Sequence, residues 1–165
     1  MCDPMEGMVI RHAEPADYQP IIAVVNDWWG GRNMRDMLPK LFFIHFRPTS
    51  FVAQSGEAIV GFLVGLASQT FSDAAYIHFV GVHPEFRQKG LGRALYERFF
   101  QAAGLLGRRK VSCVTSPLNQ GSIAFHLRMG FSLESSEKIV EKTPVAVNYD
   151  GPGGDRVLFS RIITA

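Results

Sequence analysis

The sequence predicts an α+β domain built on a mixed, mostly antiparallel sheet of about seven strands. Two observations predict it. Strand-like and helix-like segments follow in the order β-α-α-β-β-β-α-β-α-β-β, an antiparallel start joined to one β-α-β crossing. A β-rich run, YIHFVGV, also passes through a glycine-containing loop directly into an amphipathic segment, LGRALYERFFQAAGLL. At 165 residues and 47% hydrophobic, the chain suits one domain over 1–165, with an ordered core over about 8–164.

Met8 to His12 alternates as a first strand. EPADYQPIIAVVNDWW follows with helix-start chemistry: Pro15 suits a first turn, and Ile21, Ile22, Val25, Trp28 and Trp29 share a face until Gly30-Gly31 ends it. Residues 34–46 form a second helical or irregular segment that Pro39 breaks or starts. FVAQ and AIVGFLVGLAS flank Ser55-Gly56-Glu57 as a hairpin, with Gly61 and Gly65 marking twist or a bulge. Residues 68–74 are a polar loop before the fourth strand, YIHFVGV. The third helix runs to about Leu106 and stops at Gly107; RKVSCVTS is the fifth strand; residues 119–129 are a helix ended by Gly130. FSLESSEKIV is expected as a strand, residues 143–155 as a long loop, and DRVLFSRII as the strand that closes the sheet.

Composition excludes several function classes. Seventeen Lys and Arg against fifteen Asp and Glu give a formal charge of +2, with no concentrated basic stripe for nucleic acid. Cys2, in an N-terminal stretch expected to be loose, and Cys113, in an apolar strand, need no bridge, and no spacing suits a metal. MCDPMEGM lacks the apolar segment of a signal peptide, and no apolar run is long enough to span a membrane, so a cytoplasmic protein is expected.

The run Val82-His83-Pro84-Glu85-Phe86-Arg87-Gln88-Lys89-Gly90-Leu91-Gly92-Arg93 carries the chemistry. A helix start offers unpaired N–H groups and the positive end of the macrodipole, and glycine lets a phosphate approach them. It is not a nucleotide-hydrolase loop, because Lys89 precedes Gly90 and no Ser or Thr follows. It is not a dinucleotide fingerprint, because Leu95 stands where a third glycine belongs. On its own the run also reads as a turn that merely starts a helix. Arg87, Gly90 and Gly92 resemble the pyrophosphate loop of the GNAT superfamily of acyl-CoA-dependent N-acetyltransferases. NQGSIAFHLRMGF resembles the superfamily's second motif: Asn119, a spacer, the small Ser122, an apolar pair, an aromatic position held here by His126, then Gly130-Phe131.

The resemblance implies splayed fourth and fifth strands, helices on both faces of the sheet, and acetyl-CoA as cosubstrate with no metal. The N–H groups around Gln88, Lys89, Gly90, Gly92 and Arg93 would hold the diphosphate, with Arg87, Lys89 and Arg93 adding charge or simply solvated. Backbone at Val80 and Val82 would bond the pantetheine arm like an added strand and polarise the thioester carbonyl. Asn119 would bond the same arm or cap the helix, and Ser122 falls in the cofactor-binding set.

His126 replaces the tyrosine that serves as acid in many relatives, so it either assists the departing thiolate or packs against the sheet. His78 is either the base, on one strand face with Val80 and Val82 unless a bulge at Gly81 changes the phase, or a bonded core residue. Trp29, Arg32 and Tyr149 are the acceptor-side candidates, with one tryptophan expected in the core. The expected function is acetyl transfer to a primary amine of a small molecule such as an amino acid or analogue. A protein or peptide N-acetyltransferase and a non-catalytic acyl-CoA sensor are the alternatives, and a homodimer stays open.

Overall fold

A computed structural model describes residues 5–164, so Cys2 lies outside the described residues. The strands are β1 (Met8–His12), β2 (Phe51–Ser55), β3 (Ala58–Ala67), β4 (Ala74–Val82), β5 (Lys110–Thr115), β6 (Ser132–Leu133), β7 (Lys138–Val140), β8 (Thr143–Val145) and β9 (Val157–Ile162). The helices are α1 (Tyr18–Val24), α2 (Leu91–Leu105) and α3 (Gln120–Arg128). Seven strands form one sheet in the order β1-β2-β3-β4-β5-β9-β6, antiparallel at every pair except β4–β5.

Strand alternation sends successive side chains to two cores. Phe51, Ala53, Leu63 and Ile77 join Leu91, Leu95, Tyr96 and Phe99 of α2 on one face. Val52, Phe62, Val64 and Phe79 join Ile21, Val25, Trp28, Phe42 and Phe43 on the other. Helix α2 is fixed by its buried stripe Leu91, Leu95, Tyr96, Phe99 and Ala103, each large member contributing about 1.5–3 kcal/mol on burial. Gly65 admits it: a Cβ there would stand 2.5 Å from Phe99 Cε2 and 2.6 Å from the Tyr76 carbonyl oxygen.

The bulges expected near Gly61 and Gly65 are present. Ala53 faces Gly61 while Gln54 faces Ile59, so Val60 is the extra residue. Val64 faces Phe79 while Gly65 faces Ile77, so the extra residue across from Gly65 is His78 on β4. The phase of β4 therefore changes at His78, not at Gly81.

Residues 34–46 form the irregular segment expected, as single 3₁₀ turns, Arg35–Met37 and Lys40–Phe43, the second starting directly after Pro39. Two expectations need correction. The strand expected at FSLESSEKIV splits: β6 keeps two residues on β9, and β7 turns back on β8 through Glu141 and Lys142 at φ 48° and 70°. That two-residue turn uses positive φ without Gly or Asn, so nothing in its sequence announces it. The long loop expected over 143–155 is correspondingly shorter. β8 takes its first three residues, and an Ala146–Arg156 bridge closes the rest.

Candidate active site

Strands β4 and β5 pair only at Ala74–Lys110, Ala75–Val111 and Tyr76–Ser112. Beyond Tyr76 they part, leaving a V-shaped opening along β4. The His83 N–H bonds the Val60 carbonyl on the β3 side at 2.8 Å. Alternation then turns the backbone groups of Val80 and Val82 to the open edge. Arg87 Nε donates to the Val82 carbonyl at 3.0 Å, which agrees with that direction.

At the end of this edge the chain makes a 3₁₀ turn, Pro84–Phe86, then a loop into α2. Gln88 at φ 60° and Gly90 at φ 88° curl it, and the first bond into the helix runs from Ala94 N–H to the Gly90 carbonyl. Among the described residues none accepts from the backbone N–H groups of 88–93. A Cβ on Gly90 would meet nothing within 4 Å, so the ground before these donors is open. Gly92 lies against α3, with Phe125 Cζ 3.6 Å from where its Cβ would stand. Lys89 and Arg93 border the loop, the first 5.5 Å from the Phe86 ring, the second 3.9 Å from Glu97. Arg87 turns inward instead: its guanidinium bonds the Trp28 carbonyl and lies 5.7 Å from the Trp29 ring.

His78 and Phe79 follow one another toward the α1 face, because the bulge suspends alternation between them. His78 stacks on Phe42 at 4.9 Å, and Phe79 lies 5.3 Å from Trp29. Val80 and Val82 pack on the α2 side. The expectation that all three side chains share one face is thus corrected. His78 Nε2 stands 2.8 Å from the Met37 carbonyl, which can only accept. Nε2 carries the proton in the neutral ring, and the lone pair is on Nδ1. Burial pulls its pKa below the ordinary histidine value, partly offset by the Met37 carbonyl and by the charge of Asp150.

Asp150 belongs to the short loop 147–155. Its carboxylate pairs with Arg156 at 2.7 Å, Asn148 N–H bonds Asp155, and Gly153 N–H bonds Asn148. The loop presents half-exposed Tyr149, and Tyr149, Asp150 and Arg156 all act electrostatically on Tyr76 at the root of the opening. Burial first, then Tyr149, Cys113 and Asp150, raises the Tyr76 pKa far above the usual phenol value, and Arg156 opposes them. Trp28 is the core tryptophan, stacked on Phe62 at 6.0 Å, while Trp29 is half-buried and Arg32 exposed.

Asn119 caps α3, its Oδ1 accepting from Ser122 N–H at 3.0 Å. His126 is 6% exposed and stacks on Phe159 of β9 at 4.8 Å. Its Nδ1 lies 2.7 Å from the Ser122 carbonyl and 3.3 Å from Ser122 Oγ, and its Nε2 lies 2.8 Å from the Tyr96 hydroxyl. A carbonyl only accepts, so Nδ1 holds the proton and Tyr96 O–H donates to Nε2. Burial lowers the His126 pKa, and the ring is neutral at neutral pH.

A family model described as "Acetyltransferase (GNAT) family" matches residues 13–131. The chain belongs to the GNAT acetyltransferase family. An uncharacterised N-acetyltransferase of Methanocaldococcus jannaschii is 39% identical over 59 residues, 36% of this chain and 26% of that protein. The L-2,4-diaminobutyric acid acetyltransferase of Shouchella clausii is 27% identical over 88 residues, 53% of this chain and 49% of that protein. These matches span about a quarter and about half of the curated relatives' lengths. In fold the chain is similar to Ard1 of Thermoplasma volcanium, at TM-score 0.76 and 20% identity over 96% of this chain and 99% of that one. It is also similar to the diaminobutyrate acetyltransferase EctA of Paenibacillus lautus, solved with L-2,4-diaminobutyric acid and coenzyme A. That likeness has TM-score 0.70 and 19% identity over 94% and 95%.

Within this GNAT fold the open edge of β4 leads into the loop that starts α2, Phe125 of α3 meets that loop at Gly92, and His78 lies on the α1 face of β4. Four neighbours escaped sequence reasoning. The Met37 carbonyl and Phe42 come from the irregular segment, whose path no periodicity gives. Tyr96 reads only as one more core residue of α2. Asp150 lay inside a segment read as an undivided loop, where NYDGPGGD was the signal. A separate cavity of about 510 Å³ opens between α1 and the β2–β3 hairpin, lined by Arg11, Asp17, Glu57 and His83 among others. Among the described residues no three His, Cys, Asp or Glu side chains gather to hold a metal, and no helix is long and apolar enough to cross a membrane.

Proposed function

We propose that this protein transfers an acetyl group from acetyl-CoA to a primary amine of a small molecule in the cytoplasm. The observation that carries the reading is the opening along β4: its unpaired edge ends at the donor-rich start of α2. The fit is good, since the N–H groups of 88–93 lack acceptors and face open ground at Gly90. The loop, with Lys89 and Arg93 beside it, would hold the diphosphate of acetyl-CoA. Val80 and Val82 would bond the pantetheine amides, and the amide of Asn119, whose Oδ1 caps the helix, keeps its NH₂ for the same arm. A β4 N–H is placed to stabilise the oxyanion of the tetrahedral intermediate.

The acetyl donor supplies an activated thioester carbonyl. His78 supplies the base: neutral, with its Nδ1 lone pair free of the Met37 bond, it takes the proton of the attacking ammonium directly or through a water. The amine nitrogen bonds the carbonyl carbon, the C–S bond breaks with its electron pair leaving on sulfur, and the second N–H proton of the tetrahedral adduct passes to solvent. The acceptor enters from the α1 face, where His78, Trp29 and the Tyr149–Asp150 loop lie. A carboxylate at Asp150 suits a cationic acceptor, and Arg32, exposed beyond the tryptophans, suits its carboxylate. The self-bonded loop 147–155 and a relative named for diaminobutyric acid both favour a small amine over a polypeptide.

Free-thiol release from acetyl-CoA across a panel of diamines, basic amino acids and short peptides tests the reading. Turnover with a small amine supports it. Turnover with peptides alone supports a polypeptide acceptor, and CoA binding without turnover on any amine supports a sensor.

A further inference from the structure

We propose that Ser122 is the hydrogen-bond donor to the departing CoA sulfur, and that His126 is the positioning residue that aims it. The proposal rests on the acetyl-CoA reading above. His126 itself is badly placed to act: it is 6% exposed, and both ring nitrogens are occupied within the chain. Nδ1–H is committed to the Ser122 carbonyl at 2.7 Å, and Nε2 already accepts from Tyr96 at 2.8 Å. Its imidazole therefore has no N–H left to offer a sulfur atom.

Ser122 is the least buried member of that network. It is half-buried in the first turn of α3, three residues after the Asn119 cap and one turn before Phe125, the residue that meets Gly92 of the loop. Its Oγ lies 3.3 Å from His126 Nδ1. Because that nitrogen is the proton carrier, Oγ accepts weakly there, and its own hydrogen is turned away from His126. A hydroxyl fixed on one side and free to donate on the other suits an anion that forms only as the C–S bond breaks. The step balances as a hydrogen bond, not a proton transfer. The thiolate leaves with the C–S electron pair, Ser122 Oγ–H donates without losing its proton, and solvent protonates the sulfur afterwards.

The thiol of bound CoA reports this without turnover, through the ultraviolet absorbance of its thiolate. The bound thiol in the wild type should titrate about one pKa unit lower than in Ser122→Ala, the size of one hydrogen bond to a charged partner. Ser122→Ala should also lose about tenfold in kcat with the acetyl-CoA KM nearly unchanged. His126→Phe removes the Nδ1–H and should match Ser122→Ala in both readouts, with the double variant no worse than either. His126→Asn keeps an N–H near the Nδ1 position and should recover part of the shift. Equal thiol pKa values in wild type and Ser122→Ala overturn the proposal while leaving CoA binding intact. So does a His126→Phe variant that loses kcat while Ser122→Ala does not, which would make His126 itself the donor. Failure of the wild type to bind CoA overturns the acetyl-CoA reading and this proposal together.

Discussion

The hydroxyl of Tyr96 donates to Nε2 of His126 across 2.8 Å, and both side chains are buried. This bond ties α2 to α3 beneath the sheet, between the helix that starts at the glycine loop and the one capped by Asn119. Removing the hydroxyl leaves a buried imidazole acceptor without a donor, which costs more than the bond itself contributes. Tyr96→Phe should destabilise the protein by about 1–3 kcal/mol, seen as a lower urea midpoint with an unchanged m value. An unchanged midpoint would mean that water replaces the hydroxyl.

His78→Gln should lower kcat on the order of 10²-fold or more while the acetyl-CoA KM holds, since the side chain sits on the α1 side of β4, away from the Val80 and Val82 side chains. The pH profile gives the sign. Burial holds the His78 pKa below 6.5, and the base must be neutral to act. Wild-type kcat/KM should therefore stay level as pH falls to about 6.5 and decline only below it. In His78→Gln that acid limb should vanish. A limb that persists unchanged assigns the proton acceptor elsewhere.

Much of this was legible before the structure. The β-rich run YIHFVGV, the glycines of QKGLG and the cap at Asn119 each mark a local element that the fold contains. The orientation of His78 was not legible, because a bulge there needs no Gly or Pro and is set by β3 across from it. Arg87 reads as a loop cation, yet it folds back onto the Trp28 carbonyl; a guanidinium reaches that far only once α1 is packed. His126 could be placed on its helix but not given a partner, since Tyr96 lies thirty residues away on another element.

Acid should weaken the fold in two separate windows. His78 and His126 have folded pKa values held by burial below the ordinary histidine value of 6.5, so the unfolded chain binds protons first. Stability should fall as pH drops through about 6.5 and continue to fall until the folded rings protonate. Asp17 acts lower. Burial alone would raise its pKa, but the Arg11 guanidinium, bonded to both carboxylate oxygens at 2.8 Å, and the Glu14 N–H more than offset this. Its contribution is present above 3.8 and is lost as pH falls through the lower folded value. Thermal melts from pH 8 to pH 3 should show both losses. His126→Phe should shrink the first to the share of His78 and leave the second, and Asp17→Asn should remove the second and leave the first.

Backbone amide shifts during a CoA titration test the central claim most directly, because they report where the cofactor lies. The largest changes should fall on residues 88–93, Val80, Val82 and Asn119, the loop, the edge of β4 and the cap of α3. Changes centred instead on Arg11, Asp17 and Glu57, which line the cavity beside α1, would contradict it.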